Sequence, residues 1–467
     1  MFNSLNRVNS KALVLFIGVM VLCILVGKGI AMTEPTVALG VAAVAVMFMV
    51  SFLSAEAALY ILIFSMLLGP EIIIGKLGGG SHLGRGLTLR LDDFLLVIIG
   101  STWFIRSAIH KDLGLFLRTP LNVPILLYAL SYVISTGLAM IGGRVNFLTG
   151  LFFVVKYIEY FVIYFMVVNH IQSMKQAKRL VFCALLTCFL VSLYGIYHIP
   201  LGGRVSAPFE GEGGEPNTFG GYLVFMLAIT SGLFLNERRR SYKWMLGILI
   251  ITSFIPFIYT LSRASYLAFI PMYFTLLLFS EKKKLLLTVL CVSVLLSPLI
   301  LVSAVKQRIL YTFTQPPQHG QMELGGVRID TSSSARVKAW TDCFRDFLKK
   351  PLLGYGVTCY PFVDAQLPRI LTESGLIGLM AFLNLLWRIL RLALDRLKES
   401  TDVYSKSLVV GYLSGFIALI FHSIGANTFI IVRIMEPFWL FTGIMVLLPD
   451  LMPVAEKWEK ELVAQHS

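Results

Sequence analysis

The chain has 467 residues, of which 57% are hydrophobic and only 14% charged, whereas an ordinary soluble domain carries about a quarter charged residues. That balance excludes a soluble globular protein. It predicts an all-α, polytopic transmembrane bundle, because only helices or closed barrels satisfy every backbone polar group in lipid. The formal net charge of +14 is read as loop charge that sets orientation in the membrane, and no nucleic-acid partner is expected.

Apolar runs long enough to cross the hydrocarbon core, roughly 17 to 25 residues each, begin with ALVLFIGVMVLCILVG at 12–27. Arg7 and Lys11 precede it as they would a secretory signal. No small-residue cleavage pattern follows, and another apolar run starts almost at once, so a retained first span is expected. Spans are predicted at 12–32, 36–53, 55–74, 92–109, 122–141, 150–170, 180–199, 218–235, 244–261, 264–280, 285–304, 370–390, 406–425 and 435–450, about fourteen in all. The expected organisation is a bundle over 1–304, a loop domain over 305–369, and further spans with a tail over 370–467.

The short basic connections KQAKR (175–179), NERRRSYK (236–243), EKKK (281–284) and RLALDRLKES (391–400) fall on one side only if both termini share it, and such loops stay cytoplasmic. Both termini are therefore expected to be cytoplasmic. The opposite side, which in a bacterium is the periplasm or exterior, then receives loops at 75–91 and 200–217, a tight turn at Ser262 and Arg263, and the long segment 305–369. Four of the six cysteines lie in spans, where buried structural thiols are expected. Cys343 and Cys359 lie in the long loop and could pair in an oxidising compartment.

Arg204, Arg263 and Arg433 each stand alone at a membrane boundary beside apolar sequence, where a charge is costly and marks a functional candidate. Arg204 precedes a glycine-acid stretch ending in Pro216-Asn217-Thr218. Asn217 or Thr218 is a suitable N-cap, and a capped helix start favours an anionic ligand. Arg263 is either an arginine snorkelling at a helix end or a planar fork of donors for phosphate oxygens. In the long loop, Ser332 to Ser334 can cap a helix with Val337, Trp340, Cys343, Phe344 and Phe347 at helical spacing, an amphipathic helix at the membrane surface with Arg336 and Lys338 in its first turns. Pro351 and the glycines of LLGYG end it. Pro368 suits the first turn of the next span, placing Arg369 at its mouth and Glu373 one turn deeper on the same face, with Asp364 just outside. Arg369 and Glu373 are then either a simple helix-end pair or part of a polar pocket that holds an anion beside a proton-accepting carboxylate.

The order SSSAR, a Trp, KKPLLGYG and DAQLPRILTESGLIGLMAF, together with LSRASYLAF and EPNTFGGYL, resembles the O-antigen ligase and polymerase superfamily over about residues 200–390. The superfamily pattern is Arg, Trp, Pro-x-x-Gly-x-Gly and a final Glu-x-Gly-x-x-Gly. The resemblance implies a polytopic inner-membrane glycosyltransferase that uses undecaprenyl-diphosphate-linked glycan as donor, and it implies that Arg263 and Arg336 contact the diphosphate. Many ligases have a His-Asn pair where this chain has Asp364 and Ala365, a departure that shifts weight from lipid A-core ligase toward polymerase.

The mechanism expected from that resemblance is a metal-independent displacement at the anomeric carbon. Lipid diphosphate leaves while an acceptor hydroxyl attacks, and preorganised arginines stabilise the growing charge. Asp364 is the first candidate base and Glu373 the second; Arg336 is grouped with them, and Arg204, Asn217, Arg263, Arg369 and Arg433 complete the expected glycan and diphosphate contacts. No cofactor is expected, and His82, His198, His319 and His422 are scattered without metal-ligand spacing. Expected partners are the lipid-linked donor, a glycan or lipid-linked acceptor, membrane lipid, and a chain-length regulator or other polysaccharide-assembly proteins. The alternatives are an O-antigen ligase, a protein O-oligosaccharyltransferase, a non-catalytic assembly partner, and a flippase, to which the interior charges Lys156 and Glu159 would be suited. A flippase predicts two similar halves, and the sequence shows no repeat.

Overall fold

A computed structural model describes residues 46–73, 88–110, 117–210, 214–300, 330–361 and 363–451, with scattered positions between 306 and 328. The predicted first span, Cys23, most of the 75–91 loop, His82 and His319 lie outside the described residues. A helical stretch at 46–53 leads into α1 (Ala55–Leu68). A short antiparallel pair, β1 (Glu71–Ile73) and β2 (Thr88–Arg90), precedes α2 (Leu91–His110). Then come α3 (Asn122–Ile141), α4 (Phe147–His170), α5 (Met174–His198), α6 (Pro216–Asn236), α7 (Arg240–Tyr259), α8 (Arg263–Phe279) and α9 (Lys283–Ile300). A second short pair, β3 (Glu323–Leu324) with β4 (Val327–Arg328), precedes α10 (Thr331–Phe347). The chain continues with α11 (Gln366–Glu399), α12 (Val403–His422) and α13 (Val432–Leu447).

Apart from α10, which lies in the predicted loop, the described helices overlap predicted spans, and the span expected at 55–74 ends as a helix at Leu68, before β1. Seven of them are long and apolar enough to cross a membrane: α3, α4, α5 with its 3-10 extension, α6, α7, α11 and α12. The chain is therefore a multi-pass membrane protein. The two small strand pairs are the departure from an all-helical reading, and both lie in connections.

The core gathers around α6, α12 and α13. α12 packs on α6 and α8, α13 on α4, and α11 on α3. Hydrophobic driving force between helices is weak in lipid, so close backbone approach does the work. At the α6–α12 crossing, a Cβ on Gly232 would lie 2.6 Å from the Cα of Gly411. Outer faces remain apolar, with Leu267, Ile270, Phe274 and Leu278 of α8 exposed, as expected for surfaces wetted by acyl chains.

α11 is two helices joined at Gly375, whose φ of 66° and ψ of −161° interrupt the helical path. A break in a spanning helix leaves peptide groups unsatisfied, and in lipid these must find partners inside the protein. The PLLGYG loop supplies them. Tyr355 N–H donates to the Thr372 carbonyl at 2.7 Å and Gly356 N–H to that of Glu373 at 2.9 Å, while Leu376 N–H donates to the Pro351 carbonyl at 2.8 Å and Ile377 N–H to that of Leu352 at 3.2 Å. A Cβ on Gly375 would lie 2.4 Å from the Leu352 oxygen, and one on Gly354 2.6 Å from the Thr372 oxygen, so both positions need glycine for space as well as for φ. Ser135 Oγ, on α3, lies 2.5 Å from the Leu353 carbonyl and 2.6 Å from that of Glu373.

Candidate functional site

The N-terminal ends of α6, α8 and α11 and the C-terminal ends of α7 and α12, with α10 packed on α11 and paired to the first residue of α8, form one face of the bundle, called here the loop end. Several polar side chains named from sequence lie there in three groups of contacts, linked through the start of α8 and through α10. Arg204 is exposed; its Nε donates to the Thr260 carbonyl at 3.0 Å and its Nη2 to Asn217 Oδ1 at 3.1 Å. The same Asn217 oxygen accepts from Ser262 Oγ at 2.8 Å. Ser262 is the N-cap of α8, accepting from Ser265 N–H at 3.3 Å and from Ser265 Oγ at 2.8 Å. Behind them, Ser265 Oγ lies 3.2 Å from His422 Nε2, and His422 Nδ1 lies 2.8 Å from Thr428 Oγ1.

Arg263 follows the cap and is the first residue of α8, at the tight turn expected from the sequence. Its Nη2 lies 2.9 Å from Asp330 Oδ2 and its Nη1 donates to Ser333 Oγ at 3.4 Å. Asp330 is itself the N-cap of α10, accepting from Ser333 N–H at 3.3 Å. Burial pushes the Asp330 carboxyl up. Hydrogen bonds from Arg263 and Ser333, with the Arg263 charge, outweigh this and hold it below the usual aspartate value. Six residues along α10, Arg336 Nη2 lies 3.3 Å from Asp364 Oδ2, with both side chains partly open to solvent. Arg204, Asn217, Arg263, Arg336 and Asp364 are thus brought together, and α10 is the element that joins the two halves of the set.

Arg369, Glu373 and Arg433 take different places. Arg369 is buried, with Nε 3.0 Å from Glu373 Oε1. Tyr157 Oη, on α4, donates to that same oxygen at 3.4 Å, and its ring lies under the guanidinium. The expected placement of Arg369 at an open helix mouth is corrected: the Gly375 break and the PLLGYG loop draw this turn into the bundle. Arg433 is buried at 2% exposure. It donates to the Pro208 carbonyl at 2.8 Å and lies 3.6 Å from Glu210 Oε1, holding the 204–210 loop from behind.

Three expectations about helix starts also change. α6 begins at Pro216, with Glu215 as N-cap residue. Proline suits N1 because it has no N–H to leave unpaired, so Asn217 is not the cap and its side chain is released to join Arg204 to Ser262. Thr218 Oγ1 donates to Glu215 Oε2 at 2.7 Å. α10 is capped by Asp330, not by the serines. α11 starts at Gln366, two residues before Pro368. The apolar side of α10 is divided: Cys343 is buried against Val363 and Ala365, whereas Trp340 and Phe344 are exposed. Cys343 and Cys359 are free thiols, so the disulfide considered from sequence is absent.

Sequence reasoning missed Asp330, Ser262, Ser265 and the inward role of His422. The three-residue spacing of Ser262 and Ser265 around Arg263 was the available signal, since it matches an N-cap with its first-turn partner. Among the described residues, no group of three or more His, Cys, Asp or Glu side chains is arranged to hold a metal ion.

Residues 247–383 match the family model described as O-Antigen ligase. The matched stretch contains Arg263, Arg336, Asp364, the PLLGYG loop and the Gly375 break. A comparison with curated proteins finds no match.

Proposed function

We propose, from the match of residues 247–383, which carry Arg263, Arg336 and Asp364, to the family model described as O-Antigen ligase, that the protein is a bacterial inner-membrane glycosyltransferase. It joins undecaprenyl-diphosphate-linked glycan units at the periplasmic face, as an O-antigen or exopolysaccharide polymerase. The observation that carries this reading is the gathering, at the loop end, of Arg204 on Asn217, Arg263 on Asp330 at the start of α8, and Arg336 on Asp364 along α10. It gathers three guanidinium groups and one solvent-reachable carboxylate at one end of a membrane bundle.

The chemistry follows from those positions. The diphosphate exchanges for the carboxylates now held by Arg263 and Arg336, using the two-pronged geometry that guanidinium offers phosphate. The acceptor hydroxyl attacks the anomeric carbon, the bond from that carbon to the diphosphate oxygen breaks, and the arginines stabilise the charge left on the departing lipid diphosphate. Once Arg336 turns to phosphate, Asp364 is free to take the acceptor proton. Glu373 is less suited to that task, being buried and held by Arg369 and Tyr157. An apolar groove of about 360 Å³, lined by Leu267, Ile270, Phe274, Leu278 and Phe421, runs along α8, whose first residue is Arg263, and would take part of the isoprenoid chain.

Deleting the gene and resolving surface glycan by size tests the reading. Loss of long chains with a single repeat still attached is the expected result. Loss of all attached glycan would reassign the protein as a ligase acting on lipid A core or protein, and unchanged glycan would end the proposal. Transfer of synthetic lipid-linked glycan by the purified protein separates an enzyme from a flippase, and persistence of transfer after chelation tests metal independence. Labelling of a single cysteine at Ser332 from outside the cell, with protection at Ser241, tests the orientation.

A further inference from the structure

Lys156 and Glu159, the interior charges of α4, take no part in the loop-end series. They belong to a second polar cluster, buried among α1, α2, α4 and α13. Lys156 pairs with Asp93 of α2, and its Nζ lies 3.2 Å from Glu159 Oε1. Arg90, immediately before α2, has Nη2 3.1 Å from Asp92 Oδ2 and donates from the same nitrogen to the Met66 carbonyl at 2.6 Å; its backbone N–H donates to Asp93 Oδ2 at 2.7 Å. Glu436 of α13 completes the cluster, its carboxyl lying against that of Asp92 and within the field of Arg90 and Glu159.

Two features point to a ligand. The first is the charge balance: among the described residues, the basic groups set against Asp92, Asp93, Glu159 and Glu436 are Arg90 and Lys156. The second is Glu436 itself, which is 0% exposed, with neither carboxyl oxygen hydrogen-bonded to any described residue. Asp92, against which it lies, is also 0% exposed. Two carboxylates in contact cannot both ionise, and an uncompensated charge inside a membrane bundle is disfavoured further. A proton on one of them turns the repulsion into an acid-to-carboxylate hydrogen bond. It supplies the partner Glu436 lacks and lowers the excess negative charge.

We propose that this cluster is a proton-binding site, with one proton shared between Glu436 and Asp92. The cluster does not hold three carboxylates in metal-ligating geometry, so the proton is favoured over a divalent cation. Buried carboxyl pairs of this kind are the elements with which membrane proteins take up and release protons. The cluster neighbours the buried Arg369–Glu373 pair, because α4 presents Lys156 and Glu159 to the cluster and the adjacent Tyr157 to Glu373.

Infrared difference spectroscopy of the full-length protein in lipid nanodiscs, titrated between acidic and alkaline pH, tests the proposal. The expected result is a carboxylic-acid C=O stretch present at neutral pH, unchanged by added sodium or magnesium, and absent from Glu436→Gln. That variant should be at least as thermally stable as wild type, because glutamine copies the protonated form. Should the variant fail to insert, wild type labelled with ¹³C in glutamate or aspartate carboxyls identifies the same band by its isotope shift. Absence of any acid band at neutral pH would overturn the proposal. So would a band that sodium or magnesium removes at constant pH, which would make a metal cation the occupant.

Discussion

Two kinds of arginine–carboxylate pair occur in this protein, and they differ in surroundings more than in chemistry. At the loop end, Arg336 and Asp364 meet at 3.3 Å with 28% and 39% of their side chains exposed. A few residues along the chain, Arg369 and Glu373 meet at 3.0 Å with 10% and 5% exposed. An exposed pair contributes about 0 to 1 kcal/mol, so its guanidinium can be surrendered to a phosphate at little expense. Removing one partner of a buried pair costs about 3–5 kcal/mol because the other charge is stranded. The open Arg336–Asp364 pair is therefore suited to exchange with substrate, and the closed Arg369–Glu373 pair is suited to holding the interrupted helix α11 in register.

Substitutions can break this contrast. The largest effect is expected for Asp364→Asn, which keeps shape and hydrogen bonding but removes basicity. Turnover of synthetic lipid-linked substrate should fall by roughly two to four orders of magnitude with donor binding mostly retained. Full activity in this variant beside an inactive, properly folded Glu373→Gln would move the base to the buried pair.

Next in size is Glu373→Gln, expected to lower stability by about 3–5 kcal/mol. The Arg369→Gln and Glu373→Gln double variant should recover much of that loss, because it strands no charge. A thermal unfolding series in detergent reads both, and a single variant as stable as wild type would show that the pair is not sealed from water.

Arg263→Lys and Arg336→Lys should each lower activity about ten- to a hundredfold, the loss of one charge-assisted hydrogen bond of about 1.5–3 kcal/mol, while leaving thermal stability nearly unchanged. Near-normal turnover in both would return these residues to the role of surface anchors.

The smallest effect sharpens the comparison through pH. The Asp330 carboxyl is held below its usual value by hydrogen bonds from Arg263 and Ser333, which outweigh burial. A carboxyl depressed in the folded state contributes stability that is whole above its unfolded value of about 4. That stability is lost as pH falls through the folded value. Proteolysis of the 305–369 segment should thus be insensitive to pH from neutrality to about 5 and accelerate below about 4, and Asp330→Asn should remove the step.

Much of the fold was written in the sequence. Apolar runs placed helices α3 to α9, α12 and α13 to within about six residues, because lipid compels each run to satisfy its backbone internally; α10 was legible from helical spacing in the loop, and α11 runs on to Glu399, past its apolar run. The Ser262–Arg263 turn was legible from the short chain between two such runs, and the shared location of Arg204, Asn217, Arg263, Arg336 and Asp364 at one end of the bundle agrees with their grouping as one candidate site. Their mutual arrangement was not legible. Asp330 and Arg263 are distant in sequence, and only the docking of α10 on the loop end joins them. Arg369 and Glu373 read as a helix mouth because four-residue spacing gives a shared face but no depth. Their burial depends on the Gly375 break and on the PLLGYG backbone that fills it, a pairing between segments that no local pattern encodes. The acid-rich cluster is the extreme case: Glu159 stood out as an interior charge, but neither it nor Asp92 nor Glu436 pointed to the others. Only the packing of α13 against α4, with α2 alongside α4, brings their charges into one buried space.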